Sequence, residues 1–165
     1  MDSTLPGRYV RESISEYSEF ALPNDANVLG FMLGGKVMHL VDMAAALAAT
    51  RHARCAAVTA SVDHMSFLHP IHIGQLIVLR ASVNRVFRTS MEVGVRVEVE
   101  TPRTGEKRHT SSAYLTFVAV EKDGVRLPIP PVIPETADEK RRYEEAGQRR
   151  EYRLALRERT IEKQR

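Results

Sequence analysis

From Gly34 onward the apolar positions of this chain keep two periods, one after the other. Val37, Met38, Leu40, Val41, Ala44, Ala45, Leu47 and Ala48 recur at helical spacing. They spread around nearly the whole circumference, which predicts a long helix buried on most sides. After Arg51-His52-Ala53-Arg54 the period becomes two: Ala56, Val58, Ala60 and Val62 alternate, and the phase then slips by one residue to Met65 and Phe67. That reads as a strand with a bulge. Leu76 to Phe87 and His109 to Glu121 predict two further strands. Between them lies the clearest one, in which Met91, Val93, Val95, Val97 and Val99 alternate with Glu92, Gly94, Arg96, Glu98 and Glu100. Turns are marked by Pro70 to Gly74, by Pro102-Arg103-Thr104-Gly105 and by Asp123-Gly124. Upstream, Tyr9 to Leu22 is mostly polar with scattered Val10, Ile14, Tyr17 and Phe20, an edge strand by this reading, followed by the turn formers Pro23 to Asn27.

Consecutive strands joined by short turns predict an antiparallel meander. A sheet of four or more strands buries an almost wholly apolar helix only by curling around it. The expected fold class is therefore α+β, a long central helix wrapped by a curled antiparallel sheet, over residues 8–133. Pro128, Pro130, Pro131 and Pro134 end the sheet, because proline cannot donate to a central ladder. Residues 134–165 read as a separate charged helical tail. From Glu135 on, 18 of 31 residues are charged, and Tyr143, Tyr152, Leu154, Leu156 and Ile161 are sparse among them. The expectation is a solvated helix with an ion-laced face and a frayed end.

Composition narrows the class. At 165 residues with 43% hydrophobic and 27% charged positions, the chain is one globular domain that needs no metal or disulfide staple. Its single cysteine, Cys55, points to a reducing compartment. No apolar run reaches the roughly 18 residues of a membrane helix. The opening Met1-Asp2-Ser3-Thr4-Leu5-Pro6-Gly7 lacks a signal-peptide pattern. The expected location is the cytoplasm, with no membrane partner. The net charge of +3 is mostly contributed by the tail, which interleaves both signs instead of concentrating one, so nucleic acid is not an expected partner.

The chemistry narrows more sharply. Gly30-Phe31-Met32-Leu33-Gly34-Gly35-Lys36-Val37 comes close to a nucleotide-binding P-loop, but Val37 occupies the place of the magnesium-binding hydroxyl. What survives is a helix opening at Gly34-Gly35. Its first amides either point at a ligand, unobstructed by a Cβ, or merely permit a tight entry turn. Asp42 lies about two turns on, in apolar sequence, where a buried carboxylate is costly unless paired. Either His39 or solvent relieves it, or it is a general base. Asn27 is turn chemistry or a water-orienting residue. Arg88-Thr89-Ser90 suits a phosphate or is simply a polar turn. His64, His69 and His72 lack metal-ligand spacing, Cys55 lacks an activating neighbour, and Ser111-Ser112 sits mid-strand without an elbow. No metal and no cofactor are expected.

Several stretches, in one order over residues 8 to 145, resemble the hotdog-fold acyl-CoA thioesterases of the cytosolic acyl-CoA hydrolase type. They are Asp25-Ala26-Asn27-Val28, Gly34-Gly35-Lys36-Val37-Met38 with Asp42, Val58-Thr59-Ala60-Ser61-Val62-Asp63, and Phe67-Leu68-His69-Pro70-Ile71. Further on come Ser90-Met91-Glu92-Val93, Phe117-Val118-Ala119-Val120 and Pro128-Ile129-Pro130-Pro131. The resemblance implies Asp42 as general base, Asn27 positioning water or thioester, and the Gly35 amide polarising the carbonyl. It places Asn27 and Asp42 of one site on different subunits of a homo-oligomer, expected to be a dimer-based hexamer. It implies that Arg88, Thr89 and Ser90 contact coenzyme A, which is part of the substrate and not a cofactor. The expected reaction is hydrolysis of acyl-CoA to free coenzyme A and a fatty acid. A non-catalytic acyl-CoA-binding protein of the same fold is the alternative. Phe31-Met32-Leu33, Met43, His72 and Gln75 depart from the family's common residues, at positions where acyl-chain choice can change.

Overall fold

A computed structural model describes residues 5–163 of the chain. The expectation drawn from Met1 to Gly7 falls mostly on residues 1–4, outside the described residues. Seven strands and two long helices follow in the order β1 (Arg8–Tyr9), β2 (Ser15–Phe20), α1 (Gly34–Ala53), β3 (Ala57–Val62), β4 (Leu76–Val86), β5 (Ser90–Thr101), β6 (Glu106–Ala119), β7 (Val132–Ile133) and α2 (Ala137–Lys163).

Five strands form one antiparallel sheet in the order β2-β4-β5-β6-β3. The meander is real for β4, β5 and β6, but β3 does not pair with β4. It crosses to the far side of the sheet and pairs with β6, leaving its other edge open, with Val58 and Val62 exposed. The bulge also differs in place: the β3 register shifts between Thr59 and Ser61, and Met65 and Phe67 lie beyond the strand. β2 is the opposite edge. The two-residue β1 and β7 pair in parallel beneath the proline segment, a short ladder that single-strand patterning cannot foresee.

The alternation along β4, β5 and β6 sends Ile77, Leu79, Val83, Met91, Val93, Val95, Val97, Leu115 and Phe117 to one buried face. Helix α1 lies against it through Val37, Leu40, Val41, Ala44, Ala45, Ala48 and Ala49. Four small alanines let the helix axis approach the curved sheet closely, and each larger side chain buried there contributes about 1.5–3 kcal/mol. The helix stops where Arg54 takes the left-handed conformation at φ 57° and donates its N–H to Thr50 O. Contrary to the expected all-round burial, one side of α1 stays open: Gly35, Met38, His39, Met43, Leu47 and Thr50 are exposed.

The tail is less solvated than its composition suggests. Ala146 of α2 is fully buried, Gly147 packs against the Arg85 guanidinium, and Arg149 reaches Glu92 on the outer face of β5. The helix is largely exposed at its start, through Arg141, and again beyond Arg150.

Candidate active site

The entry to α1 is built from the turn before it. Asn27 Oδ1 accepts the N–H groups of Leu29 and Phe31 at 2.9 and 3.1 Å, and the Asn27 N–H donates to Phe31 O at 2.7 Å, which folds residues 27–31 into a closed loop. The carbonyl side of Asn27 is thereby occupied by turn chemistry, and its amide NH2 has no acceptor among the described residues. Val28 and Leu29 are pushed fully outward by the same loop.

Leu33 begins the helix with no side-chain cap, and the first helical bonds are donated by Lys36 and Val37. The Gly34 and Gly35 amides precede them and, among the described residues, have no acceptor. A Cβ built on Gly35 would meet nothing within 4 Å, so that side of its backbone is open. Lys36, a cation in the first turn where the helix dipole disfavours it, is neutralised by Glu19 at 3.2 Å and Asp25 at 3.6 Å.

Asp42 sits two turns along, half-buried, on the open side of α1. His39 does not relieve it. Its partner comes from the neighbouring strand: the Thr59 hydroxyl donates to Asp42 Oδ1 at 2.6 Å. The bulge following Thr59 lies beside this contact and turns the end of β3. The second carboxylate oxygen, Oδ2, has no hydrogen-bond donor among the described residues. Thr59 is the residue that sequence reasoning passed over. Its signal was a hydroxyl, alongside Ser61, in a strand otherwise made of alanine and valine.

Register places the remaining residues. Thr59 pairs with Phe117, and Phe117 pairs with Met91. The Arg88-Thr89-Ser90 turn is thus at the Asp42 end of the sheet, about 10 Å (two strand spacings) from Thr59. Gly34 is at the other end, where a Cβ built on it would meet the ring of Phe67. Seven residues of helix separate Gly35 from Asp42, a rise of about 10 Å. One protomer therefore does not bring the Gly35 amide and the Asp42 carboxylate to the same atom. Its concavities lie elsewhere too: a groove of about 330 Å³ on the outer sheet face by Arg80, Asn84 and Tyr114, and a dimple of about 40 Å³ beside Arg88.

The other candidate chemistries find no geometry. His64 bonds Ser66, the ring of His72 packs edge-on against Phe31, and among the described residues no three His, Cys, Asp or Glu converge as metal ligands. Cys55 is a free thiol whose pKa burial pushes up. Among the described residues no helix is long and apolar enough to cross a membrane.

Comparison with known proteins gives the family. Residues 29–106 match the thioesterase superfamily model. Over 142 residues the chain is 38% identical to YkhA of Bacillus subtilis, an uncharacterized acyl-CoA thioester hydrolase, covering 86% of this chain and 83% of YkhA. The chain belongs to the hotdog-fold acyl-CoA thioesterases. A hexameric acyl-CoA thioesterase solved in its apo form shares the family fold at TM-score 0.89 and 41% identity, over 92% of this chain and 97% of that one. The acyl-CoA hydrolase of Staphylococcus aureus, solved with butyryl coenzyme A and coenzyme A, superposes at TM-score 0.89 with 34% identity, over 96% of each chain. Structures of that hydrolase also exist with alanine in place of an asparagine, an aspartate and a threonine, numbered one higher than Asn27, Asp42 and Thr59 here.

Proposed function

We propose that this acyl-CoA thioesterase uses Asp42 as general base, the Gly35 amide as donor to the carbonyl oxygen and Asn27 to position water or thioester. Asp42 takes a proton from water as the water oxygen adds to the thioester carbon. The developing oxyanion rests on the amide at the positive end of α1, where a preorganised donor typically contributes about 2.7–4 kcal/mol. The carbon–sulfur bond then breaks, the thiolate takes up a proton, and a carboxylic acid and free coenzyme A leave. The scheme draws on water and the chain's own groups, with no metal or cofactor.

The observation that carries this reading is the separation of Gly35 from Asp42 along the open side of α1. Two groups about 10 Å apart act on one carbonyl only when a second copy supplies one of them. A two-fold axis passing near Met38 and His39 would set two α1 helices antiparallel, with Asp42 of each opposite Gly35 of the other. Exposed Met38, Met43 and Leu47, the outward Val28 and Leu29, and the open edge of β3 supply the apolar area and free ladder for such a pairing. We further infer a dimer-based hexamer, supported by the hexameric relative, and a reducing cytoplasmic location, supported by the free Cys55.

The test is thiol release. Purified protein incubated with acyl-CoA and a thiol-reactive dye should liberate coenzyme A. Asp42→Asn should fold and assemble while turnover falls about 10²–10⁴-fold. Tight acyl-CoA binding by wild type without thiol release would instead favour the non-catalytic binding protein.

A further inference from the structure

The acids near the Arg88-Thr89-Ser90 turn are already taken. Glu92 is held by Arg149 through two hydrogen bonds of 3.0 and 2.7 Å, and Asp63 by Arg153 at 2.7 Å. Three more guanidinium groups converge on the turn. Arg150 Nη1 donates to Ser90 Oγ at 3.3 Å, and its Cζ lies 4.2 Å from the centre of the Phe87 ring. Arg85 lies between Phe87 and Tyr143, with Glu144 only at 4.0 Å. Arg88 is exposed at the turn itself. Among the described residues no carboxylate lies within 4 Å of Arg88 or Arg150. Arg150 is also held in like-charged company: burial first, then the charges of Arg153 and Arg85, push its pKa down. Such crowding is unfavourable until an anion enters, and an aromatic platform under a planar cation keeps its fork fixed for one.

We propose that Arg150 of the tail helix, together with Arg88, binds the phosphates of coenzyme A, so that α2 forms part of the substrate site. This rests on the acyl-CoA reading above. Arg150 lies against the outer face of the sheet and Asp42 against the inner one, so a pantetheine arm with its thioester at Asp42 rounds the sheet end at this turn, about 10 Å from Thr59 across two strand spacings. The buried pairing of Arg149 with Glu92 locks the helix in register, and the next residue then presents its cation to Ser90.

The experiment compares two substrates with the same acyl group, acyl-CoA and acyl-pantetheine, which lacks the phosphates. Arg150→Gln should raise KM for acyl-CoA about tenfold more than for acyl-pantetheine, with the loss in KM and not kcat, and should flatten the salt dependence of KM. Arg150→Lys should recover part of it. Equal losses on both substrates, or no change on either, would overturn the assignment. Should Arg150→Gln fold poorly, Arg150→Lys decides: its calorimetric affinity for free coenzyme A must fall below that of wild type while its affinity for pantetheine stays equal. If no acyl-CoA were hydrolysed at all, the thioesterase chemistry would fall while that calorimetric difference continued to test Arg150.

Discussion

Thr59 and Asp42 are joined by a 2.6 Å hydrogen bond across the gap between β3 and the open side of α1. The hydroxyl fixes one carboxylate oxygen and leaves the other without a donor among the described residues, which is the arrangement a general base needs: orientation without neutralisation. Thr59→Ala should therefore lower kcat about tenfold or more with little change in KM, while Thr59→Ser, which keeps the donor, stays near wild type. Steady-state kinetics on the three proteins checks this. Equal rates for the alanine and serine variants would mean that the bond is structural only.

Gly35 gives a sharper dissection of fold from function. Space around its missing Cβ is empty in the protomer, so Gly35→Ala meets no clash and should leave the melting temperature equal or slightly higher, alanine being the better helix former. Activity should nevertheless fall by an order of magnitude, because the methyl group stands where the thioester carbonyl must approach the amide. Gly34→Ala, whose Cβ would meet the Phe67 ring at ordinary contact distance, is the matched control. Full activity in Gly35→Ala would place the oxyanion elsewhere.

A site shared between subunits predicts complementation. Asn27→Ala and Asp42→Asn should each be nearly inactive alone. Unfolded together and refolded as a mixture, random pairing yields mixed dimers with one intact site, and about a quarter of wild-type activity should return. No recovery, with mixed dimers confirmed by mass spectrometry, would put both residues to work within one chain.

Much of this was legible in the residues and some of it could not be. Strand periods of two in β4, β5 and β6 and the apolar run of α1 foretold the helix-in-sheet core, because those patterns report burial directly. Asp42 stood out because a carboxylate in an apolar run needs a reason. Its partner did not: Thr59 reaches it only because β3 crosses to pair with β6, a long-range choice that leaves no local mark. Glu92 reads as solvent-facing by alternation, yet it is fully buried, since α2 closes over the outer sheet face. The open side of α1 was hidden for the opposite reason. Its Met38, Met43 and Leu47 look like core in sequence, whether they pack against their own sheet or against another copy.

That concealed Glu92 makes a stability prediction. Asn84 Nδ2 donates to it at 3.0 Å, Arg149 donates twice, and Arg153 stands 3.7 Å away. Glu92→Ala leaves those cations without their counter-charge beneath α2 and should cost about 3–5 kcal/mol, read as a lower denaturant midpoint. Arg142→Ala, on the exposed rim of the same helix, should change the midpoint hardly at all, its pairing with Asp138 being solvent-exposed. Similar shifts in the two variants would show that α2 is not anchored through Glu92.

His52 sets an acid limit. The ring is fully buried at the end of α1, where Nε2–H donates to Pro130 O at 2.8 Å and Nδ1 has no partner among the described residues. Burial pushes its pKa below the usual value of about 6.5, with the charge on Arg8 adding to the effect and the Pro130 bond opposing it. Because the unfolded chain takes up this proton first, the stabilising contribution is complete above about pH 6.5 and is lost as the pH falls through the folded-state value. One such group changes stability by at most about 1.4 kcal/mol per pH unit. Denaturant titrations at pH 7.5 and 5.5 should show the wild type losing more stability than His52→Gln, whose side-chain amide can still reach Pro130 O without titrating. Identical losses would mean that the buried imidazole accepts its proton without opening the end of α1.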